Sequence, residues 1–183
     1  ICGAGMLLQI LIVYQSWVKY GGKIKMKKFW KEAKVPIFYA FSINSSLVTL
    51  PLTLKSLKNL KVTNESARMS ACLGTNLNND GILLYEVTAV LFLIQCYGIH
   101  MSFGEKLFTC LMSILPAIGV GGIPEAGIIS LTLVLSAIHL PTEQIPFLLT
   151  VDWILARCRS ATNVTGDMSV AVAIDFLKKR SKK

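Results

Sequence analysis

The stretch DWILARCRSATNVTGD, residues 152–167, places ionisable side chains between apolar segments of the chain. On a helix, residues three and four positions apart lie on one face. That spacing puts five side chains on a single stripe: Asp152, Ala156, Ser160, Asn163 and Asp167. Arg159, beside Ser160 and seven residues from Asp152, falls on the same stripe, whereas Arg157 points elsewhere. Ionisable groups inside an apolar helix are costly and usually mark a substrate or ion pathway; the structural alternative is a buried pair of Arg159 with Asp152 or Asp167.

The composition is typical of a membrane protein. Of 183 residues, 53% are hydrophobic and 16% are charged, and the mean hydropathy is +0.57. The formal net charge of +9 could indicate nucleic-acid binding, but the basic residues gather mainly in three short segments between apolar blocks, at 19–34, 55–68 and 178–183. This is the positive-inside pattern of membrane proteins. No basic stripe carries interleaved aromatic residues, so we expect no nucleic-acid partner.

Several chemistries lack their sequence patterns. The five cysteines are scattered and the two histidines stand alone, which argues against a disulfide framework and a zinc site. No phosphate-binding loop with its lysine and no GxSxG turn occurs. We therefore expect neither an enzyme nor a bound cofactor. The chain begins at Ile1 inside an apolar run without a signal-peptide pattern, so we expect it to be the end of a longer protein.

Two segments predict re-entrant hairpins. Apolar arms at 35–44 and 47–54 flank Ser45-Ser46 and hold about ten residues each, whereas a span needs about 20. Positive charge at both ends places both ends on the cytoplasmic side. Residues 107–140, around the tip GVGGIPEAG, form either a second hairpin from the outer side or a single broken span. The basic C-terminus at 178–183 favours the hairpin, because it places that end inside.

The predicted fold is an all-α membrane protein, with an inverted-repeat transporter core that contains two re-entrant helical hairpins and a broken transmembrane helix. We expect a multi-pass protein of the plasma or inner membrane with a cytoplasmic C-terminus. The predicted segments are the end of a transmembrane helix (1–18), a basic cytoplasmic link (19–34), hairpin 1 (35–62), the broken helix (69–97), hairpin 2 (107–140), the final transmembrane helix (147–177) and a basic cytoplasmic tail (178–183).

The breaks and tips supply groups for ligands. Asn78 and Asp80 lie at a local break that frees backbone carbonyls, and carboxylate, amide and carbonyl oxygens together suit a hard cation. Arg159 suits an anionic group, because a guanidinium binds a carboxylate bidentately. The two tips can present backbone N–H groups and helix N-termini to an anion, or they can be plain turns.

Four motifs resemble those of the dicarboxylate/amino acid:cation symporters, which include glutamate and aspartate carriers. SSLVTLP (45–51) resembles the serine-rich tip of their first hairpin, and NNDG (78–81) resembles their NMDGT break. GVGGIPEAG (119–127) resembles the tip of their second hairpin, and DWILARCRSATNVTGD (152–167) resembles the signature of their last helix. The resemblance covers about residues 35–170. It implies a mobile core that carries a small anionic substrate and sodium through the bilayer, in a homotrimer.

The resemblance also implies residue roles. Arg159 would hold one carboxylate of the substrate, and Asn163 with backbone of the two tips would hold the other. The implied substrate-binding positions are Ser45, Ser46, Ile123, Gly127, Ala156, Arg159, Ser160 and Asn163. The implied sodium-binding positions are Gly74, Asn76, Asn78, Asp80, Asn163 and Asp167, and a third sodium site would be closed by carbonyls near Asn76 and in the second hairpin. Glu86, which follows Tyr85, is implied in proton or potassium coupling or is a structural acid.

Four departures from the family pattern bear on the substrate. Ala156 stands where the family places an aspartate that binds the substrate's amino group, and a buried ammonium opposite alanine lacks its counter-ion. Ile82 replaces a threonine, Asn79 replaces a methionine in a sodium-coordinating turn, and Leu47-Val48 replace small or polar residues. Ala156 therefore favours an amino-free dicarboxylate such as malate or 2-oxoglutarate over glutamate or aspartate.

The expected function is sodium-coupled symport of an acidic amino acid or a C4/C5 dicarboxylate. Three alternatives stay open on the sequence. An ion channel would need a continuous polar pore, and a degenerate or truncated carrier would show no sodium-dependent binding. A soluble enzyme or binding module would stay soluble without detergent.

Overall fold

The computed structural model describes residues 1–120, 126–143 and 145–181. Over these residues the chain folds into helices joined by short turns, with no β-strand. The helices are α1 (Cys2–Leu8), α2 (Met26–Ile43), α3 (Ser46–Asn59), α4 (Asn64–Leu77), α5 (Asp80–Cys96), α6 (Phe103–Met112), α7 (Ile114–Gly119), α8 (Ala126–Ala137) and α9 (Ile145–Ser181). Between α1 and α2, the chain continues in π-helical turns over Gln9–Tyr14 and Trp17–Gly21. The predicted all-helical class is confirmed for the described residues.

Helix α9 forms the centre of the fold. It runs for 37 residues and contacts α2, α3, α4, α5 and the first helical segment, which is α1 with the two π-helical stretches (residues 2–21). Nearly every side chain from Ala161 to Ala173 is buried. A helix that is covered on all sides lies in the interior of a fold. The polar stripe of 152–167 is therefore enclosed by protein over most of its length.

Two apolar cores flank α9. One lies between α2, α3, α4 and the C-terminal half of α9, and it includes Phe29, Leu57 and Met168. The other lies between α5, α8 and the N-terminal part of α9, and it includes Leu93 and Leu135. The same long helix therefore belongs to both cores and fixes them relative to each other.

Helices α2 and α3 form a helical hairpin whose turn is set by two residues. Asn44 ends α2 in the left-handed conformation, with φ 58°, which asparagine adopts more readily than most residues. Ser45 is extended and its hydroxyl accepts a hydrogen bond from Val48 N at 3.2 Å, which caps α3. These two local preferences reverse the chain at the position of the predicted tip.

Helices α4 and α5 are separated by a break at Asn78 and Asn79. Both residues have non-helical dihedrals, with ψ 61° and ψ 43°. The last carbonyls of α4 and the first N–H groups of α5 therefore lack their usual intrahelical partners. Asp80 begins α5, so a carboxylate lies at the N-terminal, partly positive end of that helix.

Helices α6, α7 and α8 make up the region of the predicted second hairpin. Helix α6 begins with a capping box, in which Ser102 and Glu105 each bond the other's backbone N–H. The Ser102 hydroxyl and N–H hydrogen bonds lower the pKa of the Glu105 carboxyl. The predicted tip at 119–127 lies largely outside the described residues, Ile123 included. Helix α8 contacts α5, which places this region on the half of the broken helix that follows the break.

Large apolar side chains cover much of the surface. Among the described residues, one stretch, Asn64–Cys96, is long and apolar enough to cross a membrane by length and composition alone, and it consists of α4 and α5 with the break between them. Other exposed apolar side chains include Phe38, Phe103, Phe108 and Trp153. Many exposed large apolar side chains are characteristic of a surface that contacts lipid or other protein.

A polar clamp joins the start of α4 to the end of α9. Asp175 Oδ1 accepts hydrogen bonds from Thr63 N at 3.0 Å and Thr63 Oγ1 at 2.6 Å, and Asp175 Oδ2 accepts one from Lys179. Lys178 also pairs with Glu65 close by, but these two side chains are 36% and 70% exposed. The buried acid therefore carries most of the clamp.

We expect Asp175→Ala to lower the free energy of unfolding by about 2 kcal/mol, because the partly buried Thr63 N–H loses its acceptor. Lys178→Ala is the matched control and should change stability by no more than about 0.5 kcal/mol, since it removes a solvent-exposed pair. Thermal unfolding in detergent measures both. Equal Tm shifts for the two variants would contradict this assignment.

Candidate functional site

The guanidinium of Arg159 is buried and paired with Asp152. Arg159 Nη1 donates to Asp152 Oδ1 at 2.6 Å, and Nη2 donates to Oδ2 at 3.2 Å. Arg159 and Asp152 are only 3% and 5% exposed. Of the two pairs considered from the sequence, the one with Asp152 is therefore formed. Among the described residues, the bidentate pair uses two of the five guanidinium N–H groups, which leaves three for a second acceptor.

Two further elements approach the same guanidinium. The Tyr85 ring of α5 stacks on it, with Arg159 Cζ 4.1 Å from the ring centroid. On the side of α8, a Cβ on Gly127 would lie 2.6 Å from Cζ. No larger residue fits there without displacing the guanidinium. The predicted substrate-binding residues Arg159 and Gly127 thus meet in space.

A second group of polar atoms, the Asp167 cluster, lies further along α9 and consists of Gly74, Asn78 and Asp167. Asp167 is 2% exposed, and its Oδ1 accepts a hydrogen bond from Asn78 Nδ2 at 2.9 Å. A Cβ on Gly74 would overlap the same oxygen, so glycine is what lets α4 approach the acid. These three predicted sodium-binding residues come from α4, the break and α9. Their carboxylate, amide and backbone oxygens are the ligand types that hard cations prefer.

Asp80 is held by two residues that sequence reasoning missed. Gln9 Nε2 and Tyr14 Oη both donate to Asp80 Oδ2, each at 2.8 Å. Both donors come from the first helical segment, and Tyr14 is 3% exposed. The only signal in the sequence was their polarity within the apolar segment 1–18. Both of these bonds go to Oδ2, so within the described part of the chain Oδ1 is left for another partner.

Asn163 connects the break to α9. Its Oδ1 accepts a hydrogen bond from Gly81 N at 2.8 Å, and its Nδ2 donates to Asn79 Oδ1 at 3.2 Å. The Asn76 side chain is exposed, but its backbone carbonyl accepts from Asn79 Nδ2 at 2.8 Å. Asn163 thus contacts the break through both ends of its amide.

The first hairpin reaches the stripe through its tip. Ser160 Oγ donates to Asn44 Oδ1 at 3.1 Å, which places Ser45 and Ser46 next to the middle of α9. Ala156 is 4% exposed. Its methyl group therefore occupies a closed position on the same stripe.

Glu86 is fully buried, at 0% exposure. Both of its carboxylate oxygens lack a hydrogen-bond partner among the described residues, as does the neighbouring Tyr85 hydroxyl. Buried polar atoms without a partner are rare in folded proteins and call for an explanation. On α5, Glu86 directly follows Tyr85, the residue whose ring stacks on Arg159.

Comparison with known proteins identifies the family. The family model of the sodium:dicarboxylate symporter family matches residues 1–177. The chain belongs to this family. The family resemblance drawn from the sequence is therefore confirmed, and the family is one of transporters rather than enzymes.

Curated relatives of this symporter family align over most of the chain. An excitatory amino acid transporter of Caenorhabditis elegans is 39% identical over 76% of this chain and 28% of its own length. One of Onchocerca volvulus is 40% identical over 73% and 28%. Excitatory amino acid transporter 1 of Homo sapiens is 32% identical over 97% and 31%. The chain therefore spans less than a third of the length of these relatives.

Gly74→Ala should disrupt the Asp167 cluster. The added methyl group overlaps Asp167 Oδ1, so we expect a loss of roughly 1–3 kcal/mol of stability and of any sodium-induced rise in Tm. Gly3→Ala is the matched control, since nothing lies within 4 Å of its Cβ, and it should be neutral or stabilise by about 0.5–1 kcal/mol. If sodium still raises the Tm of the Gly74→Ala variant, Asp167 is not part of the cation site.

Proposed function

We propose that this chain forms the transport core of a sodium-coupled carrier for small dicarboxylates. The observation that carries the proposal is the buried Arg159, paired with Asp152 but with donors left over, on the same helix as the buried Asp167 cluster. One helix thus offers a cationic group for an anion and, further along, anionic groups for a cation. Membership of the symporter family supports this combination.

In this proposal the substrate binds between α9 and the two hairpin tips. Arg159 takes one carboxylate with the N–H groups that Asp152 leaves unused. Asn163 and backbone near Ser46 and Gly127 hold the other carboxylate. The close approach of Gly127 places the start of α8 directly over the guanidinium, so closure of this region would exclude water from the ion pair and strengthen it.

Sodium binds, in the same proposal, at the acids of α9 and of the break. Asp167, Asn78, Asn163 and the Gly74 carbonyl hold one ion, and Asp80 belongs to a second site. Burying Asp167 without a counter-ion is costly, and the amide of Asn78 offsets only part of that cost. A bound sodium ion removes the cost and allows the region to close around an anion. This electrostatic dependence would couple the two ligands.

The membrane arrangement follows from the same reasoning. We propose that α2–α3 and α6–α8 are re-entrant hairpins in a multi-pass protein of the plasma or inner membrane, with a cytoplasmic C-terminus, that assembles as a homotrimer. The partners are lipid and a small anion, without nucleic acid. Glu86, buried and without a hydrogen-bond partner among the described residues, is a candidate for proton or potassium coupling, because such an acid can take up a proton or a cation when its surroundings change.

The buried Ala156 supports a preference for amino-free substrates. An ammonium group brought to this closed position would find no carboxylate at Ala156, and the nearby Asp152 is already paired with Arg159. Malate and 2-oxoglutarate carry no ammonium group and avoid this cost. Glutamate and aspartate each carry an ammonium group and would incur this cost.

The test is to measure dissociation constants for malate and glutamate in sodium, using the protein at its full natural length in proteoliposomes. We expect malate to bind more tightly in the wild type. Ala156→Asp should shift the preference toward glutamate by at least about tenfold, since a buried charge pair is worth 1.4 kcal/mol or more. Ala156→Asn is the control, because it matches aspartate in size without its charge.

Two results would contradict the proposal. Tighter binding of glutamate in the wild type, unchanged by Ala156→Asp, would show that the amino group is held elsewhere. Absence of sodium-dependent binding of either acid would favour a carrier that has lost its function.

A further inference from the structure

The Asn79 side chain joins three elements that meet at the break. It is 4% exposed. Its Nδ2 donates to the carbonyl oxygen of Asn76 at 2.8 Å and to that of Ala117, in α7, at 3.0 Å. Its Oδ1 accepts from Asn163 Nδ2 at 3.2 Å. A single amide thus bonds the end of α4, the first part of the second hairpin region and α9.

The two carbonyls that Asn79 bonds would otherwise be suited to a cation. Asn76 lies in the last turn of α4, where carbonyls have no intrahelical partner. Ala117 lies in the short helix α7 and is itself buried. Both oxygens point at one position within 3.0 Å. A hard cation placed there would use the same lone pairs that accept the two amide hydrogens.

We propose that the Asn79 amide takes the place of a bound sodium ion between the Asn76 and Ala117 carbonyls. The family resemblance implies a third sodium site near Asn76 and the second hairpin. An amide NH₂ group has two donors, and both are used here. The donor is attached to the chain, so it is always present, whatever the sodium concentration. Helix α7 is thereby fixed to the break without an ion.

The hydrogen bonds continue from this position to the candidate substrate site. Gly81 N donates to Asn163 Oδ1, Asn163 Nδ2 donates to Asn79 Oδ1, and Asn79 Nδ2 donates to Ala117 O. Asn163 therefore contacts α7 through one intervening amide. The inference deepens the proposed function, since it limits sodium to the sites at Asp167 and Asp80 and reduces the expected number of coupled ions by one. The Asn79 contacts themselves do not depend on transport.

Hydrogen–deuterium exchange of the protein at its full natural length, in detergent without substrate, tests the inference. The readout is the backbone amides of Ile114–Gly119 in sodium chloride and in choline chloride of equal ionic strength. In the wild type, we expect exchange in α7 to differ by less than about twofold between the two salts. Sodium should still slow exchange in the part of α4 that contacts Asp167.

Asn79→Asp should create the sodium dependence that the wild type lacks. Aspartate has the same shape and keeps the acceptor for Asn163, but it loses both donors and adds a negative charge beside two carbonyls. In choline, α7 should exchange on the order of tenfold faster than in the wild type, which corresponds to 1.4 kcal/mol in the local opening equilibrium. Sodium should restore most of the protection, because it can now bind the carboxylate and both carbonyls.

Two further variants complete the test. Asn79→Met removes the donors without adding charge and should also make α7 protection depend on sodium. Asn59→Asp is the matched control: it makes the same chemical change at an exposed position, where Asn59 donates to Glu32, and should leave exchange in α7 unchanged.

The outcomes separate this inference from the proposed function. If sodium slows exchange in wild-type α7 as strongly as in the part of α4 that contacts Asp167, a cation binds between the carbonyls and the inference is wrong, whether or not the variants fold. If both Asn79 variants exchange like the wild type in choline, the amide does not fix α7. If exchange follows the expectation but no dicarboxylate binds, the proposed function fails while the role of Asn79 stands.

Discussion

Burial of charge on α9 is the constraint on which the rest of the structure depends. Asp152, Arg159 and Asp167 are each no more than 5% exposed, and a charge removed from water must be paired and hydrogen-bonded. Arg159 and Asp152 pair with each other, and Asn78 bonds Asp167. The break between α4 and α5 is what brings that amide to α9. An unbroken helix would direct its polar groups along its own axis.

The same constraint explains where the backbone comes closest. Helix α4 reaches Asp167 at Gly74, and α8 reaches Arg159 at Gly127. At both contacts a side chain would occupy the volume of the charged group. Arg159 and Asp167 are about 12 Å apart along the helix, at 1.5 Å per residue. At that distance an anion and a cation can occupy separate sites and still influence each other through the low-dielectric interior.

The sequence predicted the parts that local chemistry determines. Periodicity placed the polar stripe on one helix, the Asn-rich stretch NNDG predicted a break, and Ser45-Ser46 marked a turn, each of which depends on residues close together in the chain. It did not predict the contacts between distant segments. Gln9 and Tyr14 bond Asp80 across 71 and 66 residues, and neither spacing nor composition reports such a pair. Asn79 was visible as a departure from the family pattern, but its contact with Ala117 required the position of α7.

The central claim is that a sodium gradient drives a dicarboxylate across the membrane through this core. The most direct measurement uses proteoliposomes that contain the protein at its full natural length and start with equal malate concentrations inside and outside. Labelled malate is added outside, and its accumulation inside is measured. The account predicts that labelled and total malate rise above equilibrium when sodium is higher outside, and that a sodium ionophore abolishes the rise. Exchange of label without net accumulation, or accumulation that is the same in choline, would contradict it.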